Sequence, residues 1–592
     1  MKRKLLLILV FAVILCAAGF SQLTTAYTWW DPAKDTTPAV EGQAWPKEVK
    51  YRYDRLPARA EKKVREPVWN LSHNSAGLSI RFRSSTTDII VRYKVAGDAA
   101  IPIMPVTGTS GVDLYAVNSD GEWRWCGATC SFGDTIQYHF SGLDANDPYN
   151  NKGREYQLYL PLYNMVTWLE IGVPTNAPFA PLPARIDKPI VVYGTSIAQG
   201  GCASRPGMAW ASILGRKSGR PVINLGFRAN GKLEDEVINL LTEIDAKIYI
   251  LDCLPNMDSP EETKQRVLAS IAGLQQKRPG VPVLLVEHAG FSDGMINTAK
   301  RKEYIELNKT MEQTFKELTS KGVKNIFLLT KEEINLDIDC TVDGVHPSDL
   351  GMLRYADAYE KKIRLILNEP GGIFTTTQPC TQSRDANTYD WETRHNELIN
   401  LNKSEPPRIV FLGNSITHYW GGRPVAKYSR GAESWNKIFE PIGVRNFGFG
   451  WDRIENVLWR VYHDELDGYS AEQIMIMIGT NNLEFNSNAE IVAGLKMLVT
   501  AVKRRQPKAG VLLIGLLPRH EQEKRIIGVN KELAKLSATL HIAYIDAGKF
   551  LLKRNGTINE SLFSDGVHPN EAGYWKVAGL LKPLLKMPAL DK

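Results

Sequence analysis

Two stretches of this chain read alike: VVYGTSI at 191–197 and VFLGNSI at 410–416, each an apolar run that ends in a serine. Each is followed much later by the same five residues, Asp343-Gly344-Val345-His346-Pro347 and Asp565-Gly566-Val567-His568-Pro569. The spacings agree, at 343 − 196 = 147 residues from Ser196 to Asp343 and 565 − 415 = 150 from Ser415 to Asp565. Two copies of one catalytic-type domain is the simplest explanation.

Outward from each serine the pattern alternates. After PIVVYG come a helical GMAWASILGRKSG, the strand VINLGF, the helix EDEVINLLTEI, the strand KIYILDCLPN, a further helix and VPVLLVEH, with NIFLLT and a closing helix beyond. The second copy repeats the order through RIVFLGN, VRNFGF, QIMIMIG, GVLLIGLLP and AYIDAG. Apolar strands alternating with helices predict a parallel sheet covered on both faces, with functional groups at the carboxyl ends of the strands. Ser196 and Ser415 stand at such ends.

A serine at a strand-to-helix junction is often no more than an N-cap. An Asp and a His three residues apart add a chemical reason: the carboxylate orients its neighbouring imidazole, which serves as general base toward the serine. An aspartate that merely turns the chain and a surface histidine is the plainer reading. Its recurrence at matched distance from a strand-end serine argues against coincidence.

With these residues in place, both units resemble SGNH/GDSL hydrolases, esterases and lipases on a flavodoxin-like three-layer α/β sheet. The resemblance implies Ser196, Asn256 (in LDCLPN), Asp343 and His346 as the catalytic set of the first unit, and Ser415, Asn481 (in IGTNN), Asp565 and His568 as that of the second. It also implies backbone oxyanion donors near Ala229 in NLGFRANG and Trp451 in NFGFGWD. The chain departs from the family where Thr195 and Asn414 replace the Asp of the first block, and where Ala229 and Trp451 replace a Gly. The second unit is also similar to the catalytic subunits of platelet-activating-factor acetylhydrolases, through NFGFGWDRIENVLWR, IGTNN and LLIGLLPR. That similarity implies a small acyl pocket.

Ahead of the first unit, LSIRF, DIIVRYKV, GVDLYAV, EWRWCGA, TIQYHF, YQLYLPLY and TWLEIGV are short runs broken by turn residues, which predicts an all-β sandwich or jelly roll. Gly111-Val112-Asp113-Leu114-Tyr115 resembles the signature of the GxDLY domain found before certain esterases. Tyr115, Trp123 and Trp125 could form a sugar platform, although core and edge packing explains them as well. The N-terminus, with Lys2, Arg3 and Lys4 before the apolar run from Leu5 to Ala18, reads as a secretory signal cleaved after Ser21. Lipidation at Cys16 is the alternative, against which Leu15 counts. The expected layout is a signal peptide at 1–21, a β domain at 22–185, hydrolase units at 186–368 and 387–592, and a Gly, Pro and Thr rich linker at 369–386.

The formal charge of +7 falls to 7 − 3 = +4 when the first 21 residues are removed, and no basic cluster is interleaved with aromatics. Nucleic acid is therefore not an expected partner, nor is stable membrane insertion. Cys126, Cys130, Cys202, Cys253, Cys340 and Cys380 could form disulfides in an oxidising compartment, with Cys126 and Cys130 the nearest pair. No metal or nucleotide pattern is present, so no cofactor is expected. The leading expectation is an exported, periplasmic or extracellular esterase that removes acetyl groups from a glycan or another small acyl ester. A lipid acylhydrolase and a glycan-binding scaffold with one degenerate site are the alternatives.

Overall fold

The structure, a computed structural model, describes residues 26–147, 149 and 151–586. The signal reading of residues 1–21, including Cys16, lies outside the described residues.

Each hydrolase unit is built on a five-stranded parallel sheet. In the first the order is Val222–Gly226, Ile190–Gly194, Ile248–Asp252, Val283–Val286, Ile326–Leu329. The second repeats it with Val444–Gly448, Ile409–Gly413, Gln473–Met477, Gly510–Ile514 and Ala543–Ile545. This 2-1-3-4-5 order is that of flavodoxin-like sheets, whose functional crevice opens at the carboxyl ends where the order reverses. Both faces are covered, as the unbroken apolar strands require: Val191 and Tyr193 enter one core while Ile190 and Val192 enter the other. In the second unit Val410 and Leu412 are divided in the same way from Ile409 and Phe411.

Register brings the ends of the first two strands level, with Gly194 opposite Gly226 and Gly413 opposite Gly448. The short helices Ser196–Gln199 and Ser415–His418 pack directly on those ends. A Cβ at Gly226 would lie 2.3 Å from the Gln199 amide nitrogen, and one at Gly448 2.2 Å from that of His418. Only glycine fits, so the Asn-x-Gly-Phe shared by NLGF and NFGF is a packing requirement of the serine turn.

The seven β runs preceding the first unit are all strands, in two antiparallel sheets that share one core including Ile80, Phe82, Val91, Leu114, Phe140 and Leu158. Two differences from expectation stand out. The region is not purely β, since helices cover Glu66–Ser72 and Val106–Thr109. Nor does all of it pack in the sandwich: Trp45, Leu56, Ala60, Val64, Val68 and Trp69 enter the core of the first hydrolase unit. The segment read as a linker is packed too, with Thr376, Thr377, Gln382 and Arg384 buried.

Asp113 of the GxDLY signature couples sandwich to hydrolase. Its carboxylate accepts from Trp125 Nε1 at 2.8 Å, Arg205 Nη1 at 2.5 Å and the Gly207 amide at 3.0 Å, and Tyr115 Oη accepts from the same Arg205 nitrogen at 2.7 Å. Arg205 also lies over the Trp125 ring at 4.6 Å and Arg216 over Tyr115 at 4.1 Å. Tyr115 and Trp125 thus take part in the contact between sandwich and hydrolase, while Trp125 remains 55% exposed. Gly111 is needed because a Cβ there would meet Tyr138 Oη at 2.3 Å. Among the described residues the six cysteines are free thiols, and Cys202 and Cys253 donate to different carbonyls, those of Ile103 and Tyr193.

Asp113→Ala removes the buried partner of a half-buried ion pair and takes the acceptor from the Gly207 amide, which costs about 1–3 kcal/mol. The first unfolding transition in urea should move to clearly lower concentration and the sandwich-to-hydrolase junction should become sensitive to protease. An unchanged transition would mean that the docking does not depend on this carboxylate.

Candidate active sites

The structure brings the predicted serine, histidine and aspartate of each unit together. In the first, Ser196 Oγ lies 2.8 Å from His346 Nε2, and His346 Nδ1 lies 2.7 Å from Asp343 Oδ2. In the second, Ser415 Oγ lies 2.8 Å from His568 Nε2, and His568 Nδ1 lies 2.9 Å from Asp565 Oδ2. The loop chemistry explains the identical placement. Asp343 Oδ1 accepts the amides of Val345 and His346, and Asp565 Oδ1 those of Val567 and His568. Each aspartate thus folds its own loop with one oxygen and orients the imidazole with the other.

Both aspartates are held below the ordinary carboxylate range. Partial burial pushes each up, but the amide and imidazole of the following histidine outweigh it, joined at Asp565 by Arg430. Both are therefore ionised at neutral pH, as orientation of a neutral imidazole requires.

Thr195 and Asn414, which replace the family's Asp, cap the helix that begins with the serine, accepting from the amides of Ile197 at 3.3 Å and Ile416 at 3.0 Å. The missing carboxylate thus leaves a capping acceptor in place. Ala229 and Trp451 occupy matching turns in the left-handed region, with φ of 55° and 63°. Such a conformation costs a non-glycine residue about 1–2 kcal/mol. Among the described residues neither amide donates to a protein acceptor. Asn256 Oδ1 accepts the Gly231 amide at 3.2 Å, leaving its NH2 unspent, whereas Asn481 uses one N–H on the Asp452 carbonyl at 3.0 Å and retains the other. Each unit therefore keeps unspent donors at the positions that the resemblance assigns to the oxyanion hole.

Sequence reasoning missed the groups that hold these turns. Asn224 Nδ2 donates to the Ala198 carbonyl at 2.7 Å while its Oδ1 accepts the Gly226 amide, and Asn446 does the same with Thr417 and Gly448. A buried arginine closes each strand end. Arg55 donates to the carbonyls of Asn224 and Gly226, at 3.1 and 2.7 Å, and lies over Phe227. Arg394 donates to those of Asn446 and Gly448, at 3.5 and 2.9 Å, and lies over Phe449. Burial lowers both guanidinium groups, to about 9 and about 10. The repeated Asn-x-Gly-Phe was the available signal for half of this arrangement, while the arginines come from unrelated parts of the chain.

The sites are not identical. Arg430 Nη1 donates to Asp565 Oδ2 at 2.8 Å, and Tyr419 Oη donates to Asp385 at 2.5 Å with its ring 6.2 Å from that of His568. The turn bearing Trp451 is anchored by buried Asp452, which accepts from Arg460, Trp391 and Gln382. In the first site Tyr163 of the sandwich donates to the Ser196 carbonyl at 3.1 Å.

Comparisons with known proteins agree with this duplicated architecture. Models described as GDSL-like Lipase/Acylhydrolase family match residues 187–364 and 411–576, and one described as the N-terminus of Esterase_SGNH_hydro-type matches 27–179. Platelet-activating factor acetylhydrolase IB subunit alpha1 of Homo sapiens is 28% identical over 200 residues, 33% of this chain and 82% of that protein. Subunit alpha2 of Rattus norvegicus is 30% identical over 202 residues, 33% of this chain and 83% of that protein. The crystal structure of a GDSL-like lipase from Bacteroides ovatus superposes with a TM-score of 0.54 at 32% identity, covering 58% of this chain and 98% of that one. Among the described residues no helix is long and apolar enough to cross a membrane. The chain belongs to the GDSL-like lipase/acylhydrolase family and carries two units of it behind a GxDLY-type N-terminal domain.

Proposed function

We propose that this protein is an exported serine esterase that removes acetyl groups from a glycan, with a working site in each unit. The observation that carries the reading is the serine, histidine, aspartate relay built twice with contacts of 2.7–2.9 Å. Serine Oγ attacks the ester carbonyl as histidine Nε2 takes its proton. The oxyanion is held by the amide of Ala229 or Trp451 and the NH2 of Asn256 or Asn481. Collapse expels the alcohol, which receives the proton from the imidazolium, leaving acetyl-serine. Water attacks the acetyl carbonyl as the same imidazole takes its proton, and acetate departs as the proton returns to serine.

The small acyl group is supported by relatives named acetylhydrolases. A β domain ahead of a hydrolase resembles the layout of some carbohydrate esterases, an argument from architecture. Export is supported by the basic and apolar N-terminal run.

Hydrolysis of p-nitrophenyl acetate should fall in part in Ser196→Ala and in Ser415→Ala, and by about a thousandfold or more in the double variant, with circular dichroism unchanged. Undiminished turnover in the double variant would reject both nucleophiles.

Burial lowers His568; the Asp565 charge opposes this, and Arg430 adds to it. Replacing Arg430 by Gln removes a cation and raises the histidine pKa, so the base becomes protonated at higher pH. With Ser196→Ala silencing the first site, the acid limb of kcat/KM should move to higher pH in Arg430→Gln. A limb that stays in place or moves to lower pH would contradict this electrostatic account.

A further inference from the structure

The two sites differ most in what surrounds the serine. Where the first has Ala229, the second presents the indole of Trp451, 40% exposed on a backbone of positive φ. An exposed tryptophan held in a strained turn forgoes burial as well as backbone ease, so its placement calls for a use. It is not alone. Tyr149, from the sandwich, meets the Trp451 ring edge-on with centroids 5.6 Å apart. Two residues on, Arg453 lies over Phe485 at 3.8 Å, and Phe485 is 55% exposed. On the histidine side Tyr428, also half exposed, lies 6.2 Å from Tyr419, which adjoins His568.

The turn that bears Trp451 adjoins the same tyrosine as the histidine: a Cβ at Gly450 would lie 2.9 Å from Tyr419 Oη, and the Tyr419 ring lies 6.2 Å from that of His568. One of the rings at this turn, Tyr149, belongs to another domain. The interdomain arrangement is fixed by charge: Asp120 of the sandwich pairs with Arg384 at 2.6 Å and Arg453 at 3.3 Å, and Arg384 also donates to the Trp451 carbonyl at 3.0 Å. The rim is thus made of flat rings set among paired charges rather than an aliphatic surface. Flat aromatic faces with polar edges match a pyranose, whose ring faces carry C–H groups and whose rim carries hydroxyls.

Resting on the esterase reading above, we propose that the second site receives the acetylated sugar ring of a glycan in a cleft shared between hydrolase and sandwich, with Trp451 and Tyr149 as its specificity-determining residues. The sandwich then serves both sites, through Tyr163 on the Ser196 carbonyl and Tyr149 on the Trp451 ring. The two units consequently differ in the substrates they prefer.

The full chain carrying Ser196→Ala isolates the second site. Tyr149→Ala in that background should raise KM for acetylated xylo-oligosaccharides about tenfold with little change in kcat, and Tyr149→Phe should restore it. Turnover of glycerol triacetate, a small ester without a ring, should change less than about twofold. Equal losses on both substrates, or no loss on either, would overturn the assignment. Binding to the Ser196→Ala/Ser415→Ala protein by isothermal titration separates this from the esterase reading, since it requires no turnover. Acetylated xylo-oligosaccharides should bind, and Tyr149→Ala should weaken them about tenfold even if neither serine proves to be a nucleophile. Absence of binding, or binding of phosphatidylcholine vesicles in its place, would overturn the glycan assignment.

Discussion

The arrangement depends on what one aspartate does in each unit. Asp343 and Asp565 each spend one oxygen on the amides of their own loop and the other on the imidazole three residues later. A loop folded around the carboxylate cannot present the histidine in another orientation without breaking its own hydrogen bonds. The imidazole is thereby fixed against a serine that arrives from the far end of the unit, at 2.8 Å in both cases. The strand-end glycines, the Asn224 and Asn446 latches and the capping Thr195 and Asn414 set the serine's side of that contact.

The duplication extends further than the motifs, and it diverges where function would. A buried arginine holds the same two carbonyls beneath each serine turn, but Arg55 arrives from the N-terminal segment and Arg394 from the helix that opens the second unit. The same physical need, satisfying strand-end carbonyls beside a tight turn, is met by different parts of the chain. At the second aspartate the added Arg430 leaves less of the carboxylate's charge for the imidazole. At the mouths, Ala229 and Trp451 share a backbone conformation yet present very different surfaces. The shared sheet order and relay thus support two environments.

Much of this could be read from the chain because it was local or repeated. Apolar strands with serines at their ends, and an Asp and a His three residues apart, are short-range patterns, and the side chains they single out, Ser196, His346, Asp343 and their counterparts, lie within hydrogen-bond distance of one another. Partners distant in sequence left no trace: nothing near Arg55 points to Gly226, and nothing near Arg430 points to Asp565. The Pro-containing stretch from Trp45 to Arg65 carries no strand periodicity because it packs on the first hydrolase unit, with Leu56 and Val64 buried there. The stretch at 369–386 has a linker's composition, yet Gln382 and Arg384 are immobilised by Asp452, Asp120 and Asn456. Composition reports intrinsic preference, and tertiary partners override it.

The account's central claim is that one chain holds two reactive serines, each activated by its own histidine. Intact-mass spectrometry after treatment with a fluorophosphonate ester, followed by peptide mapping, tests it without assuming a substrate. Two adducts, one on Ser196 and one on Ser415, are predicted, each lost when the paired histidine is changed to alanine. A single adduct would reduce the claim to one working unit, and no adduct on either serine would contradict it outright.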